Sequence, residues 1–494
     1  MNIEDKSWRY PIRIGLPVLI LAAAIYLRAA SQKTFGALED ENITRAVASE
    51  IWKGNLRNNW KCAPELPPAF RIDSYNFSSY MYADALFVGR HSPHPLYSDR
   101  LFSAICGTLA LYVFYLIALR LFGLQVALVS LATMAVIPLL VQDAHYARPE
   151  AFVTLLCALV YLFSIQLLHS PSHLRFLVAS SFCCGLLIAA KFSLAPMAVV
   201  PLICLYAGKR TDVRSLATWI ISVAAGTFAG VPNAFFHPAA YWSGVQSQLR
   251  IYSGEFPPHS LIGSAHGWRL LAPYFWQTMG PLFCIFCAAG IVGLLQQRRF
   301  VHFGTLALPV CFYLVFFSLE RVFFERNLSH IVPVMAILSA FGLFWVAKVL
   351  PTRLRAAAVM VLLVLMLVRP AGVSRILVFS AMRPANQERV DRYQQALMTR
   401  EQLTIESAHM LLTPYQLDEV AALAAGSQRD VLVPVLDYHD GYTKKNLAAL
   451  KQRLNVKEVG YLHSLFPHFS PSTLIAYHSP SIHYLRLSRP SASR

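Results

Sequence analysis

Apolar residues in this chain gather into long runs, several near the roughly 18–20 residues needed to cross a hydrocarbon core, and polar breaks separate them. The runs lie at about 11–29, 98–120, 123–141, 150–168, 174–190, 193–208, 214–233, 272–295, 301–318, 327–348 and 354–371, which predicts eleven membrane helices. Cations mark alternate breaks. With the N-terminus inside, the inner connections carry Arg120, Arg175, Lys209 with Arg210 and Arg214, Arg298 with Arg299, and Lys348 with Arg353 and Arg355. Every inner connection thus has a basic residue, the asymmetry that sets orientation. Lys191 interrupts the run at 174–208. Two short helices turning there keep Arg175 and Lys209 on one side, whereas a single span would invert everything downstream. Ten and twelve spans are the neighbouring counts.

This orientation leaves three outward features: a loop at about 30–97, a second at about 234–271, and a tail at about 383–494. Within the first loop, residues 40–53 place Ile43, Val47 and Ile51 at four-residue spacing, as a helix lying on a membrane would. Residues 74–90 are rich in Tyr and Phe, which favour the interfacial zone. The tail reads as a small α/β domain with strands at 403–407, 431–436, 459–464 and 482–487. Helices are expected after Thr413-Pro414 and at Thr443. No glycine-rich phosphate fingerprint accompanies them.

Composition narrows the class further. Hydrophobic residues make up 56% of the chain and charged residues 14%, and mean hydropathy is +0.47. An ordinary soluble protein is excluded. The net charge of +17 comes from short basic clusters between apolar runs, a pattern of topology and lipid contact rather than nucleic-acid binding. Of nine cysteines, eight lie inside apolar segments and Cys62 stands alone in the first loop, so no disulfide framework is expected. The Cys284/Cys287 pair falls within an apolar run without partner ligands and reads as packing. Lys6, Arg9 and Arg13 precede the first apolar stretch as in a signal peptide; because further spans follow, an uncleaved signal anchor is expected.

The candidate chemistry lies on the outward side. Asp40 and Glu41 follow the first span by about ten residues, and carboxylates that close to a bilayer are expensive to desolvate. The ordinary explanation for Asp40 is a helix N-cap, and for Glu41 a favourable first-turn acid. The stretch 143–152 (DAHYARPEAF) adds Asp143, His145, Arg148 and Glu150 between two spans. Arg148 also suits headgroup contact, and Glu150 a helix first turn. A set of further residues shares this face: Lys191, Arg326 with His330, and His266 with Arg269. Cations at that depth suit a lipid phosphate, with headgroup anchoring as the alternative for each. Two acidic loops converging on one face meet the requirement of acid–base or metal chemistry.

In this order the pieces resemble the membrane-embedded glycosyltransferases of the GT-C class. They are most similar to the protein O-mannosyltransferase and aminoarabinose-transferase-like superfamily, the phospholipid-carrier-dependent enzymes. Asp40-Glu41 followed by ITRAVASEIWKGNL matches the family's acidic pair at the start of a membrane-parallel helix. NFSSYMYADALF (76–87) matches its Tyr-rich approach to the second span, and HYARPEAFVTLL (145–156) its second acidic position, with Glu150 where Asp is commoner. GLLIAAKFSLAPMAVVPL (185–202) resembles the lysine-interrupted pair of short helices, and GVPNAFFHPAAYW (230–242) the end of the seventh span. RNLSHIVPVMAIL (326–338) resembles the segment opening a late span, with Asn327 where Tyr is commoner.

The resemblance implies an α-helical polytopic membrane protein of GT-C type. Residues 1–382 would form the catalytic transmembrane domain, and 383–494 an extracytoplasmic α/β accessory domain. It implies inverting transfer of a sugar from a polyprenyl-phosphate-linked donor to a hydroxyl of a protein, lipid A or glycan acceptor. Asp40, Glu41 and Glu150 would be catalytic. Lys191, Arg326, His330, Arg148 and His266 would hold the donor phosphate. Asp40 and Glu150 are candidate ligands for a divalent metal, on which relatives differ. The expected partners are membrane lipids, the lipid-linked sugar and the acceptor, with no nucleic acid. The expected location is a bacterial inner membrane with the site facing the periplasm. A lipid-linked sugar flippase and an inactive lipid-binding subunit are the competing functions.

Overall fold

The structure, a computed structural model, describes residues 6–33, 39–52, 78–90, 95–170, 173–236, 238–253, 267–322, 324–406, 414–427, 429–437, 442–466, 479 and 481–488. His266 and Cys62 lie outside these residues, as do 53–77 of the first outward loop and 254–266 of the second. The chain forms two compact units. One comprises Met1–Leu249, Thr278–Phe316 and Arg326–Ser374; the other comprises Arg250–Gln277, Phe317–Glu325 and Arg375–Arg494.

The first unit opens with α1 (Lys6–Ala29), α2 (Glu39–Trp52), α3 (Ser78–Val88), α4 (Leu96–Phe122), α5 (Leu124–Val136) and α6 (Pro138–Asp143). There follow α7 (Pro149–His169), α8 (His173–Ala190), α9 (Val199–Ala207) and α10 (Val213–Gly230). Six helices among the described residues are long and apolar enough to cross a membrane, or seven if Trp268–Thr278 and Pro281–Gln296 form one span. Shorter apolar helices occupy Ile14–Ala29, Leu124–Val136, Phe192–Ala207 and Val332–Ala347. The protein is therefore mostly helical and built to sit in a membrane.

The expected continuous span at 123–141 is instead two helices, broken before Pro138. Proline has no N–H, so the carbonyl four residues earlier loses its helical partner. Arg28 fills the gap: its guanidinium donates to Met134 O at 3.2 Å and to Ala135 O at 3.2 Å. Ser374 Oγ donates to Val136 O at 2.8 Å. The interruption at Lys191 matches the expectation of two short helices, the second starting as a 3₁₀ turn at Phe192–Ala198.

Close helix packing here depends on glycine. A Cβ on Gly185 or Gly226 would collide with backbone of the facing helix, so α8 and α10 meet at a separation that only glycine permits. Small residues serve this purpose where lipid offers no hydrophobic drive for helix association. The apolar stripe of α2 is also spent on protein contact. Val47 and Ile51 pack with Tyr80, Met81, Phe102 and Ala151, so this helix rests on α3, α4 and α7.

The second unit contains a three-stranded sheet in the order β1 (Val431–Asp437), β3 (Ser481–Ser488), β2 (Asn455–Leu462), with both pairings antiparallel. The strand expected at 403–407 reduces to one bridge between Ile405 and Leu432. On one face Leu417, Val420, Leu450 and Leu454 cover Val431, Val433, Leu485 and Leu487. On the other, Val390 and Leu397 cover Leu432, Ile482 and Tyr484.

Candidate active site

Helix α2 begins at Glu39, so Asp40 and Glu41 both occupy its first turn, past the capping position. Successive helical side chains diverge by roughly 100° at 3.6 residues per turn, so the two carboxylates face different neighbours. Asp40 Oδ2 lies 3.1 Å from Arg148 Nη2 and 3.3 Å from Arg326 Nη1. Glu41 turns inward to Arg100 near the start of α4, with contacts of 2.8 Å to Nε and 2.7 Å to Nη2. Glu41 also accepts from the Ala147 N–H at 2.9 Å.

Pro149 sits in the first helical position of α7, where its missing N–H costs nothing, and Glu150 follows in the same turn. Glu150 Oε2 is 3.6 Å from Arg148 Nε, and Oε1 is 3.9 Å from both Arg326 Nε and Lys191 Nζ. Arg148 and Arg326 therefore each span Asp40 and Glu150, closing a ring of alternating charge. Lys191, in the break after α8, adds a third cation and donates to Asn327 Oδ1 at 2.6 Å. Of the two ring carboxylates, Asp40 is 37% exposed and Glu150 only 4%. The ring thus opens towards solvent at Asp40.

Burial would by itself weaken Arg148's hold on its proton. Glu150 and then Asp40, with Asp143 and Glu41, more than offset that and raise its pKa. Lys191 goes the other way: burial outweighs the help of Glu150 and lowers its pKa. His330 is pushed down to about 3, first by burial and then by the Lys191 charge. It is neutral at physiological pH and offers a hydrogen bond rather than a charge. Among the described residues its Nε2 has no hydrogen-bond partner, and its ring stands edge-on to Tyr313 with centroids 4.3 Å apart.

The structure thus brings together Asp40, Arg148, Glu150, Lys191 and Arg326, which span almost 290 positions of sequence. His330 stands in the turn beside them, while Glu41 is directed to Arg100. His145 is committed to backbone, its two ring nitrogens each 2.7 Å from a carbonyl, Val141 O and Ala30 O. Arg100 is the residue that sequence reasoning missed. A charged side chain within the apolar stretch of α4 was the available signal.

A divalent metal between Asp40 and Glu150 does not fit the described residues. Both carboxylates already face two guanidinium groups, and no three His, Cys, Asp or Glu converge to hold an ion among the described residues.

Residues 95–242 match the family described as dolichyl-phosphate-mannose-protein mannosyltransferase. That segment holds Arg100, Arg148, Glu150 and Lys191. Among solved structures, the apo oligosaccharyltransferase of Archaeoglobus fulgidus superposes with TM-score 0.50 at 13% identity, over 83% of this chain and 59% of that one. ArnT from Cupriavidus metallidurans bound to undecaprenyl phosphate gives TM-score 0.49 at 14% identity, over 95% of this chain and 98% of that one. The S. cerevisiae Pmt1-Pmt2 complex bound to its sugar donor gives 0.32 at 17%, over 51% of this chain and 38% of that one. No curated protein matches the sequence. Residues 95–242 are thus similar to that family, and the chain shares the fold of the archaeal oligosaccharyltransferase.

Proposed function

We propose that the protein transfers a sugar, with inversion, from a polyprenyl-phosphate-linked donor to an acceptor hydroxyl at the outer face of the membrane. The observation that carries this reading is the charge ring: one partly exposed carboxylate, Asp40, beside Arg148, Arg326 and Lys191. The matched family is named for a dolichyl-phosphate-linked sugar, which supports a phosphorylated lipid carrier as donor.

In this mechanism Asp40 takes the proton of the acceptor hydroxyl as its oxygen attacks the anomeric carbon. The bond from that carbon to the phosphate oxygen breaks on the opposite side, and the polyprenyl phosphate leaves with the electron pair. Arg148, Arg326 and Lys191 are in place before the charge develops, and such fixed charges often supply the largest share of catalysis. Guanidinium forks suit phosphate oxygens, and Lys191 adds a point charge. Glu150 orders the three cations, Glu41 fixes the first turn of α2, and neutral His330 stands beside Lys191 without adding charge. No nucleotide site is required, because the activated sugar arrives on a lipid.

The reading includes eleven spans, an inside N-terminus and a tail at 383–494 outside the membrane as an accessory domain. Scarce cysteine in the outward loops favours a bacterial inner membrane with the site on the periplasmic side. The experiment is to incubate purified protein with polyprenyl-phosphate sugars and an acceptor-containing membrane extract. Release of free polyprenyl phosphate with sugar on the acceptor is expected. Movement of intact lipid-linked sugar across vesicles without cleavage would replace the enzyme with a flippase.

A further inference from the structure

Asp143, the last residue of α6, and Ser329, in the turn after Arg326, are both buried. Ser329 Oγ lies 2.5 Å from Asp143 Oδ2 and 2.7 Å from the backbone carbonyl of Arg326. Three cations bear on Asp143, namely Arg28 of α1, Arg148 before α7 and Lys191 after α8. The hydroxyl of Ser329 donates to Asp143 Oδ2.

The bond joins two segments that lie between the long helices. Arg326 stands in a single 3₁₀ turn, where the Ser329 N–H reaches the Arg326 carbonyl only at 3.4 Å. Asp143 ends a six-residue helix, and the chain runs from it directly through His145 to Arg148 and Glu150. An arginine side chain left free carries about 2 kcal/mol of rotamer entropy. This buried link ties the segment that supplies Arg148 to the segment that supplies Arg326, and the Lys191–Asn327 hydrogen bond holds the latter from a third side. We propose that Asp143 and Ser329 are positioning residues that hold Arg326 in register with Arg148, and that Ser329 influences transfer only through Arg326. The effect on transfer rests on the functional reading above; the positioning itself does not.

The test therefore begins with a substrate-free measurement. Phenylglyoxal labelling of Arg326, followed by mass spectrometry of the intact protein's peptides, reports how firmly its guanidinium is held between Asp40 and Glu150. Ser329→Ala and Asp143→Ala are expected to label severalfold faster than the parent, and Ser329→Thr, which keeps the hydroxyl, at the parent rate. Unchanged labelling in folded Ser329→Ala overturns the tether whatever the enzyme transfers. In the transfer assay, Ser329→Ala is expected to lower kcat and kcat/KM together, with Ser329→Thr near the parent, and to add nothing to Arg326→Ala. Full additivity with Arg326→Ala would make Ser329 an independent structural contributor and sink the proposal. If the parent releases no polyprenyl phosphate, the functional reading fails, and the labelling rates still decide the tether.

Discussion

Glu41 engages Arg100 with both carboxylate oxygens, at 2.8 Å and 2.7 Å, although its neighbour Asp40 faces a different pair of cations. Both members of the pair are buried, at 0% and 1% exposure. Arg100 also donates to Gln32 O at 2.7 Å, and Gln32 donates to Ala144 O at 3.2 Å. Through this cluster the end of α1, the first turn of α2, the start of α4 and the loop before α7 hold one another. The adjacent acids thus divide the work: Glu41 is satisfied on every side by structure, and Asp40 is left partly exposed.

Removing one member of a buried ion pair strands the other charge, which costs about 3–5 kcal/mol. Glu41→Ala is therefore expected to destabilise the protein by roughly that amount. Thermal unfolding of the detergent-purified protein measures it. Parent-like stability would mean that Arg100 finds another anion, and the division of work between the two acids would fall.

Asp40→Asn is expected to do the opposite. Asparagine is nearly isosteric and Asp40 is partly exposed, so unfolding should change little. Transfer should fall by about 10²–10⁴-fold, the usual contribution of a positioned general base. The measurement is polyprenyl-phosphate release under single-turnover conditions. Parent-like turnover in well-folded Asp40→Asn would remove Asp40 from the chemistry.

Several of these residues were legible because charge near a bilayer is costly and so stands out against apolar sequence. Asp40, Glu150, Lys191 and Arg326 all interrupt or border such runs, and charge asymmetry put them on one face. Partnership was not legible. Nothing local distinguishes Glu41, which pairs inward, from Asp40, which does not; a turn of helix decides it. Arg100 borders an apolar run, and only its burial in the fold marks its role. His330 reads as a cation, yet burial beside Lys191 leaves it neutral. The break at Pro138 was overlooked because hydropathy is blind to a missing N–H. In the tail, β3 lies between β1 and β2, an order that alternation within each strand does not encode.

Lys191 gives the pH dependence a definite sign. Its charged form holds phosphate, and burial lowers its pKa below the ordinary 10.5. Donor binding should be complete below the folded pKa and be lost as pH rises through it, at lower pH than an exposed lysine would require. Lys191→Arg keeps the charge throughout, because guanidinium does not titrate in this range. The alkaline rise in donor KM should therefore disappear in Lys191→Arg, even if its KM at neutral pH is poorer. An unchanged alkaline limb would assign the titration to another group and return Lys191 to a structural role through Asn327.

Glu150 supplies the last test, because its distances separate field from hydrogen bond. Its carboxylate is 3.6 Å and 3.9 Å from the cations it faces, beyond good hydrogen-bond range, so charge is its main means of action. A unit pair at such a distance is worth about 4 kcal/mol at an effective dielectric near 20. With Glu150 present, two carboxylates face three cations. Glu150→Gln leaves one carboxylate and a stronger positive field where the leaving phosphate departs. Free polyprenyl phosphate should then inhibit more tightly, and kcat should fall as product release slows. Inhibition constants for polyprenyl phosphate in the parent and Glu150→Gln proteins would show this. Weaker inhibition in the variant would mean that Glu150 matters chiefly by ordering Arg148, Lys191 and Arg326, and that its field is secondary.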